Sequence, residues 1–268
     1  MFVNLLFIGD IFGSPGRSFL KALLPELIQS RGINLTIANG ENAAGGAGLT
    51  EAVAQELFSM GVDVITSGNH IWNQKEIYPL IDTEDRILRP ANYPPGVPGR
   101  GSGIYTAGDG TAVGVVNVCG RVFSPQNFDC PFRALDAEIE KIRAVTPIVV
   151  IDFHGEASSE KIAAGWYVDG RASAFLGTHT HVQTADEIIL PNGTAYITDA
   201  GMTGSYEGVI GAKRETVLKH FLTQLPVRLE PCKGKRQLCA VHCVIHPSGR
   251  AEKVERILVR EQNRLDYA

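Results

Sequence analysis

Two histidines stand two residues apart in the segment Gly177-Thr178-His179-Thr180-His181, directly after the apolar run Ala174-Phe175-Leu176. The run is typical of a buried strand, and α/β proteins place ligands where a strand ends in a polar, glycine-marked segment. Neutral imidazole is a common ligand of transition metals, and a His-x-His pair on an extended segment can turn both rings to one side. Two structural histidines, hydrogen-bonded at a strand end, would give the same pattern. The pair alone therefore leaves both interpretations open.

Polar side chains that could bind a metal follow four other apolar runs of the chain. They are Asp10, Glu41, Asn42, Asn69, His70 and His154. If the runs are strands of one mainly parallel sheet, their ends converge on one edge. Two buried carboxylates there would repel each other and take up protons, whereas cations would neutralise them. These oxygen and nitrogen donors, without cysteine, predict a site for Mn, Fe, Zn or Co with enough ligands for two ions.

The elements that must position these residues follow from the apolar spacing and the turn signals. Strands are predicted at residues 2–8, 35–38, 62–66, 148–153 and 174–176, and helices at 18–30, 50–60, 132–144, 158–167 and 215–225. Hairpins are predicted at 103–118, 184–198 and 237–259, each around a glycine-containing turn. The alternation of strand and helix predicts an α/β fold, and no linker or repeat interrupts it. We therefore expect a single domain over residues 1–268.

The composition narrows the classes of function. A net charge of −4 argues against an extended nucleic-acid surface, although a small nucleotide site stays possible. The apolar start of the chain lacks a basic segment and meets Gly9-Asp10 too early for a signal peptide or a membrane span, so we expect no membrane association. The five cysteines are scattered and odd in number, which favours a reducing, cytoplasmic location over a disulfide scaffold.

A second candidate metal site lies at residues 239–246, where cysteines and histidines alternate with apolar residues. The period of two places Cys239, Val241, Cys243 and Ile245 on one face of a strand, and His242 and His246 on the other. Ligands on opposite faces of one strand suit tetrahedral zinc poorly. This pattern favours a buried strand face.

The ordered motifs resemble those of the calcineurin-like metallophosphoesterases, and more closely those of the bacterial YmdB-type branch. They are Gly9-Asp10, Gly40-Glu41-Asn42, Gly68-Asn69-His70, the strand-end His154 and Gly177-Thr178-His179-Thr180-His181. The resemblance covers nearly the whole chain and implies a sandwich of central β-sheets flanked by helices, in four layers α/β/β/α. Three positions depart from the broad superfamily pattern. Phe12 stands where a histidine is usual, Glu41 where a bridging aspartate is usual, and Ile71 where an acidic residue is usual.

The resemblance also implies a role for each candidate residue. Two divalent or trivalent transition-metal ions are implied, with iron favoured and Mn or Zn as alternatives. His70 would not be a ligand but the general acid. The implied ligands are Asp10, Asn42 and His181 for one metal, Asn69, His154 and His179 for the other, and Glu41 as the bridge between them. Dividing His179 and His181 between two metals requires that they lie in a loop at the strand end and not in a regular strand.

The function that follows is a dinuclear metal-dependent phosphodiesterase. A hydroxide bridging the metals would attack phosphorus while His70 protonates the departing alkoxide. The resemblance implies a small phosphodiester or nucleotide substrate, such as the cyclic nucleotide 2′,3′-cAMP, and we expect the chain to form a homo-oligomer. The sequence leaves two alternatives open: a phosphomonoesterase or protein phosphatase that uses the same metals, and a nucleotide-binding regulator with little turnover.

Overall fold

The computed structural model describes residues 2–261, so both ends of the predicted domain, residues 1–268, lie outside the described residues. The strands are β1 (Val3–Ile8), β2 (Asp10–Ile11), β3 (Leu35–Asn39), β4 (Val64–Thr66), β5 (Ser102–Thr106), β6 (Ala112–Cys119), β7 (Val149–His154), β8 (Ala174–Thr178), β9 (Ile188–Ile189), β10 (Ala195–Ile197), β11 (Met202–Ser205), β12 (Arg236–Ile245) and β13 (Ala251–Arg260). The helices are α1 (Gly13–Arg31), α2 (Glu51–Ser59), α3 (Ile77–Leu80), α4 (Pro131–Arg143), α5 (Ser158–Val168) and α6 (Arg214–Thr223), and a short 3-10 helix spans Ile71–Asn73.

The strands form two sheets and not one. In the first sheet the order is β2-β11-β12-β1-β3-β4, with β13 paired to β12. In the second the order is β5-β6-β7-β8-β10-β9. Parallel pairs join β1, β3 and β4 in the first sheet and β6, β7, β8 and β10 in the second. The prediction that all the candidate strand ends lie on one sheet is therefore wrong, because β7 and β8 belong to the second sheet.

The two sheets pack face to face, and each carries helices on its outer face. Side chains alternate along β1, so that Leu5 and Phe7 enter the core between the sheets, whereas Leu6 and Ile8 pack in the core that includes α1 and α2. In the second sheet, the outer face of β6 and β7 packs on α4 and α5. These cores confirm the four-layer α/β/β/α sandwich. A fully buried side chain such as Phe7 stabilises it by roughly 1.5–3 kcal/mol.

Most predicted elements are present, with shifted ends. Helix α1 begins at Gly13, earlier than the predicted residue 18, and continues through Pro25 to a left-handed glycine cap at Gly32 (φ 61°). The Thr50 side chain accepts a hydrogen bond from the Val53 N–H, which confirms the predicted cap of α2. The predicted hairpins correspond to the antiparallel pairs β5–β6, β9–β10 and β12–β13.

The second candidate metal site, at residues 239–246, is mostly strand. Cys239 and Cys243 are fully buried in β12, which confirms the predicted buried strand face. All five cysteines are free thiols. Among residues 2–261, no helix combines the length and the apolar character needed to cross a bilayer.

Candidate metal centre

The candidate residues lie where strand ends of the two sheets meet. Asp10 comes from β2, Glu41 and Asn42 follow β3, and Asn69 and His70 follow β4, all in the first sheet. The last residue of β7 is His154, and His179 and His181 follow β8, in the second sheet. The cluster is therefore built from both sheets, which brings oxygen donors mainly from one sheet and imidazoles mainly from the other.

One part of the cluster is centred on the Nε2 atom of His154. This atom lies 3.1 Å from Glu41 Oε1, 3.2 Å from Asn69 Oδ1 and 2.9 Å from His179 Nδ1. Donor atoms of Glu41, His154 and His179 all lie within 4.8 Å of one another. Four candidate residues thus direct ligand atoms at a single small volume.

A second part is centred on His181. Its Nε2 atom lies 3.8 Å from Asp10 Oδ1 and 3.2 Å from the Asn42 side-chain amide. The same amide donates a hydrogen bond to Glu41 Oε1 at 2.9 Å. Glu41 therefore contacts both parts, and every residue that the sequence assigned to a metal lies in one part or the other.

Close packing around Glu41 requires a glycine before Asn69. A Cβ atom on Gly68 would lie 2.3 Å from His154 Nε2 and 2.4 Å from Glu41 Oε2, which is closer than side-chain atoms can approach. In the same loop, the backbone amide of His70 donates to Glu41 Oε2 at 3.0 Å. Only a glycine at position 68 allows the loop to come this close.

The histidines after β8 lie in a loop with unusual backbone angles. Strand β8 ends at Thr178, and both His179 (φ 102°) and His181 (φ 65°) have left-handed backbones. Such angles cost a non-glycine residue about 1–3 kcal/mol and persist where neighbouring contacts enforce them. The loop agrees with the expected departure from a regular strand.

Two buried carboxylates enforce this loop conformation. Asp10 Oδ2 accepts the His179 N–H at 3.1 Å, and Asp199 Oδ2 accepts the Thr180 N–H at 3.1 Å. Asp199 is itself paired with Lys161 at 2.7 Å, and neither side chain is exposed to solvent. The ion pair therefore holds a backbone segment that carries two of the histidines.

The other ring nitrogen of each imidazole in the cluster lies close to an oxygen atom. The Nδ1 atom of His154 lies 2.9 Å from Thr178 Oγ1, and the Thr178 hydroxyl donates to Asp152 at 2.6 Å. His181 Nδ1 lies 2.8 Å from the carbonyl oxygen of Ile210, and His179 Nε2 lies 3.2 Å from Glu156. Partners of this kind fix the orientation of metal-binding histidines in other proteins.

The sequence motifs did not reveal these supporting residues, although one signal was present. Asp152 is a carboxylate inside the otherwise apolar run of residues 148–153, where it would be costly without partners. Burial raises its pKa to about 6. Nothing in the sequence links Thr178, Glu156 or Asp199 to the histidines that they support.

The charges in the cluster attract a cation. Burial raises the pKa of Asp10 and acts in the same direction on Glu41, but the adjacent His154 lowers the pKa of Glu41 to about 2. For His154, burial opposes the charged form, yet the Glu41 and Asp10 carboxylates raise its pKa to about 9. Burial and the charge of His154 lower the pKa of His179 to about 3, so His179 is neutral. Positive charge is therefore needed to stabilise the buried carboxylates, and a metal ion would supply it in place of a proton.

An unsatisfied oxygen shows that the donors fit metal ions. Asp10 Oδ1 is buried and has no hydrogen-bond partner among the residues that the structure describes. A buried carboxylate oxygen without a partner is unfavourable, and a cation beside it would satisfy it. Together with neutral imidazoles and amide oxygens, it makes a donor set suited to divalent transition metals.

Two clefts open at the cluster. The larger has a volume of about 540 Å³. It is lined by four residues of the cluster, by the glycine-rich loop and by apolar side chains, among them Glu41, Asn42, His179, His181, Gly45, Gly46, Phe12 and Ile210, together with His70. The smaller is lined by Asn69, His154 and a loop that includes Phe123. His179 and Glu156 line both clefts, so the cluster is accessible from two sides.

Known proteins resemble the chain over nearly its whole length. A family model described as "YmdB-like protein" matches residues 6–257. The 2′,3′-cyclic-nucleotide 2′-phosphodiesterase of Bacillus subtilis is 50% identical over 262 residues, which cover 97% of this chain and 98% of that protein.

Two solved structures share the fold. A hypothetical protein from Thermus thermophilus is 43% identical with a TM-score of 0.91, and the match covers 97% of this chain and 100% of that one. A novel phosphatase from Mycoplasma pneumoniae is 32% identical with a TM-score of 0.92, and the match covers 97% of this chain and 94% of that one.

Replacement of Lys161 by methionine tests the buried ion pair. The change leaves Asp199 charged and buried without its partner, so we expect the free energy of unfolding to fall by about 3–5 kcal/mol. Urea denaturation measures it. The matched control is Lys213→Met, which breaks the exposed pair with Glu230 and should cost less than about 1 kcal/mol. Equal stability of the two variants would contradict a structural role for the Lys161–Asp199 pair.

Proposed function

Because the chain belongs to the YmdB-like protein family, we propose that it is a phosphodiesterase that hydrolyses 2′,3′-cyclic nucleotides with the help of two metal ions. That it hydrolyses phosphoesters follows from its relatives, named phosphodiesterase and putative phosphatase/phosphodiesterase. The observation that carries the two-metal proposal is the division of the cluster into two parts that share Glu41. The preference for cyclic nucleotides rests on the activity for which the Bacillus subtilis relative is named.

Each part of the cluster would hold one ion. Asp10, Asn42 and His181 would bind the first, Asn69, His154 and His179 would bind the second, and Glu41 would bind both. When bound, the ions supply positive charge for the phosphate oxygens and acidify a water molecule for attack on phosphorus. The absence of sulfur donors suits iron, manganese or zinc, of which we favour iron.

His70 is the proposed acid for the leaving group. It lines the larger cleft, and its backbone amide is fixed on Glu41. Its Nδ1 atom lies 3.2 Å from the Asn73 side-chain amide. With the amide oxygen of Asn73 assigned as the acceptor of Nδ1–H, His70 can carry a proton on both ring nitrogens, as an imidazolium. The imidazolium can then give its Nε2 proton to an oxygen that leaves phosphorus and become neutral.

The bonds that change follow from the proposed substrate. The oxygen of water bonds to phosphorus as the water gives one proton to the solvent, the bond from phosphorus to the 2′ oxygen breaks, and the 2′ oxygen takes up the proton from His70. The product is a nucleoside 3′-monophosphate. The larger cleft has the volume that small-molecule sites usually have, and the backbone N–H groups of its glycine-rich loop are suited to phosphate oxygens.

Three broader predictions also remain proposals. The chain is proposed to form one domain over its full length, to act in the cytoplasm and to form a homo-oligomer. The exposed apolar side chains of Leu218, Phe221 and Leu222 on α6 support the last of these, since monomers rarely expose such groups together.

Product analysis tests the proposed reaction. We expect the protein, supplied with iron or manganese, to convert 2′,3′-cyclic AMP to adenosine 3′-monophosphate, as followed by chromatography. It should also hydrolyse bis-p-nitrophenyl phosphate faster than p-nitrophenyl phosphate, because the site is proposed for diesters. Adenosine 2′-monophosphate as the product, faster hydrolysis of the monoester, or no hydrolysis with either metal would contradict the proposal.

Replacement of His70 by glutamine tests the proposed acid. We expect kcat for 2′,3′-cyclic AMP to fall about 100- to 10,000-fold, the usual contribution of acid–base catalysis, with metal content unchanged by elemental analysis. The loss should be smaller for bis-p-nitrophenyl phosphate, because p-nitrophenolate leaves without a proton. The control is His246→Gln, which alters an exposed histidine bonded to Ser248. A His70→Gln enzyme with the wild-type kcat would show that another group donates the proton.

A further inference from the structure

An aromatic side chain stands exposed at the mouth of the smaller cleft. Phe123 is 83% exposed, although phenylalanine is usually buried. It lines this cleft together with Asn69, His154 and His179 of the proposed metal centre. A substrate whose phosphate lies at the centre therefore has this ring as a neighbour on one side.

The backbone at Phe123 is unfavourable for this residue type. The Ser124 N–H donates to the Arg121 carbonyl at 3.2 Å, which closes a turn with Phe123 at its third position. The φ angle there is 62°, a value that favours glycine or asparagine and costs other residues about 1–3 kcal/mol. Since the ring gains little burial in return, the strain points to a function outside folding.

The turn is anchored from the protein interior. Glu160, on α5, is buried, and its Oε2 atom accepts the backbone N–H groups of Arg121 and Val122, each at 3.0 Å. The residue directly before Phe123 is thus fixed to a helix of the sandwich. The ring is consequently presented to the cleft from a backbone with little freedom.

We infer that Phe123 is the surface on which the nucleobase of the substrate stacks, an inference that rests on the proposed function. Both ester oxygens of a 2′,3′-cyclic nucleotide belong to one ribose, so its base lies on one side of the phosphate. Phe123 is beside Asn69, His154 and His179 of the cluster, where it can offer that base an aromatic face. A planar base fits an exposed ring with neighbouring apolar side chains such as Val122. Every base has an aromatic face, so this contact selects nucleotides over base-free diesters and discriminates little among the bases.

The test compares two substrates in matched variants. For each enzyme, kcat/KM is measured for 2′,3′-cyclic AMP and for glycerol 1,2-cyclic phosphate, which has no base, and the ratio is taken. Stacking contributions of the usual size predict that Phe123→Leu lowers this ratio about 5- to 150-fold. Phe123→Tyr keeps the flat ring and should stay within about twofold of the wild type. Phe2→Leu is the control, because it makes the same substitution in an exposed phenylalanine next to the start of β1.

Any of the following three results would overturn the inference. A Phe123→Leu ratio within about twofold of the wild type would show that no stacking contact exists, while the reaction itself stands. A ratio that falls equally in Phe123→Leu and Phe123→Tyr would show that the ring is not what the substrate contacts. If the wild type hydrolyses neither compound, the proposed function fails and the inference fails with it.

Discussion

The arrangement of the rest of this site depends on two carboxylates that are buried next to imidazoles. Asp10 and Glu41 are almost completely removed from solvent, and their negative charges have no cationic side chain other than histidine within reach among residues 2–261. Charge in such a position must be protonated, paired or bound to a metal. The unpartnered Oδ1 of Asp10 shows that hydrogen bonds alone do not satisfy it. The site is consequently organised to receive positive charge.

The need of these carboxylates for positive charge explains why strand ends of both sheets meet at one point. The first sheet supplies the carboxylates and amides, and the backbone N–H of His70, in a loop of the same sheet, donates to Glu41. The second supplies His154 at a strand end and two further histidines from a strained loop. The strain at His179 and His181 is sustained by Asp10 itself and by the buried Lys161–Asp199 pair. The strained loop thus lowers the stability of the fold, and packing in the cores of the sandwich offsets this loss.

The strands and helices could be predicted from the sequence, but their arrangement could not. Apolar runs that end in Asp10, Asn69 or His154 identify strands and the polar groups after them, because side-chain periodicity is a local property. Which strands pair is not local, and the division into two sheets reversed the expectation of a single sheet edge. The resemblance to a known family supplied the four layers and the division of ligands, which spacing alone left open.

Contacts between distant residues were beyond prediction for the same reason. The Thr178 hydroxyl between His154 and Asp152 depends on the register of β7 and β8, and the support of His181 by Ile210 depends on a loop that follows β11. The exposure and backbone angle of Phe123 likewise follow from the anchoring of its turn on Glu160. No sequence motif marks Phe123, which lies at the rim of the site.

Anomalous X-ray scattering from crystals grown with manganese tests the central claim, that Glu41 lies between two metal ions. Two peaks are expected about 3.5–4 Å apart, as in other two-metal sites. One should lie beside Asp10, Asn42 and His181, and the other beside Asn69, His154 and His179. A single peak, or peaks that leave Asp10 or Glu41 without a metal, would contradict the two-metal centre.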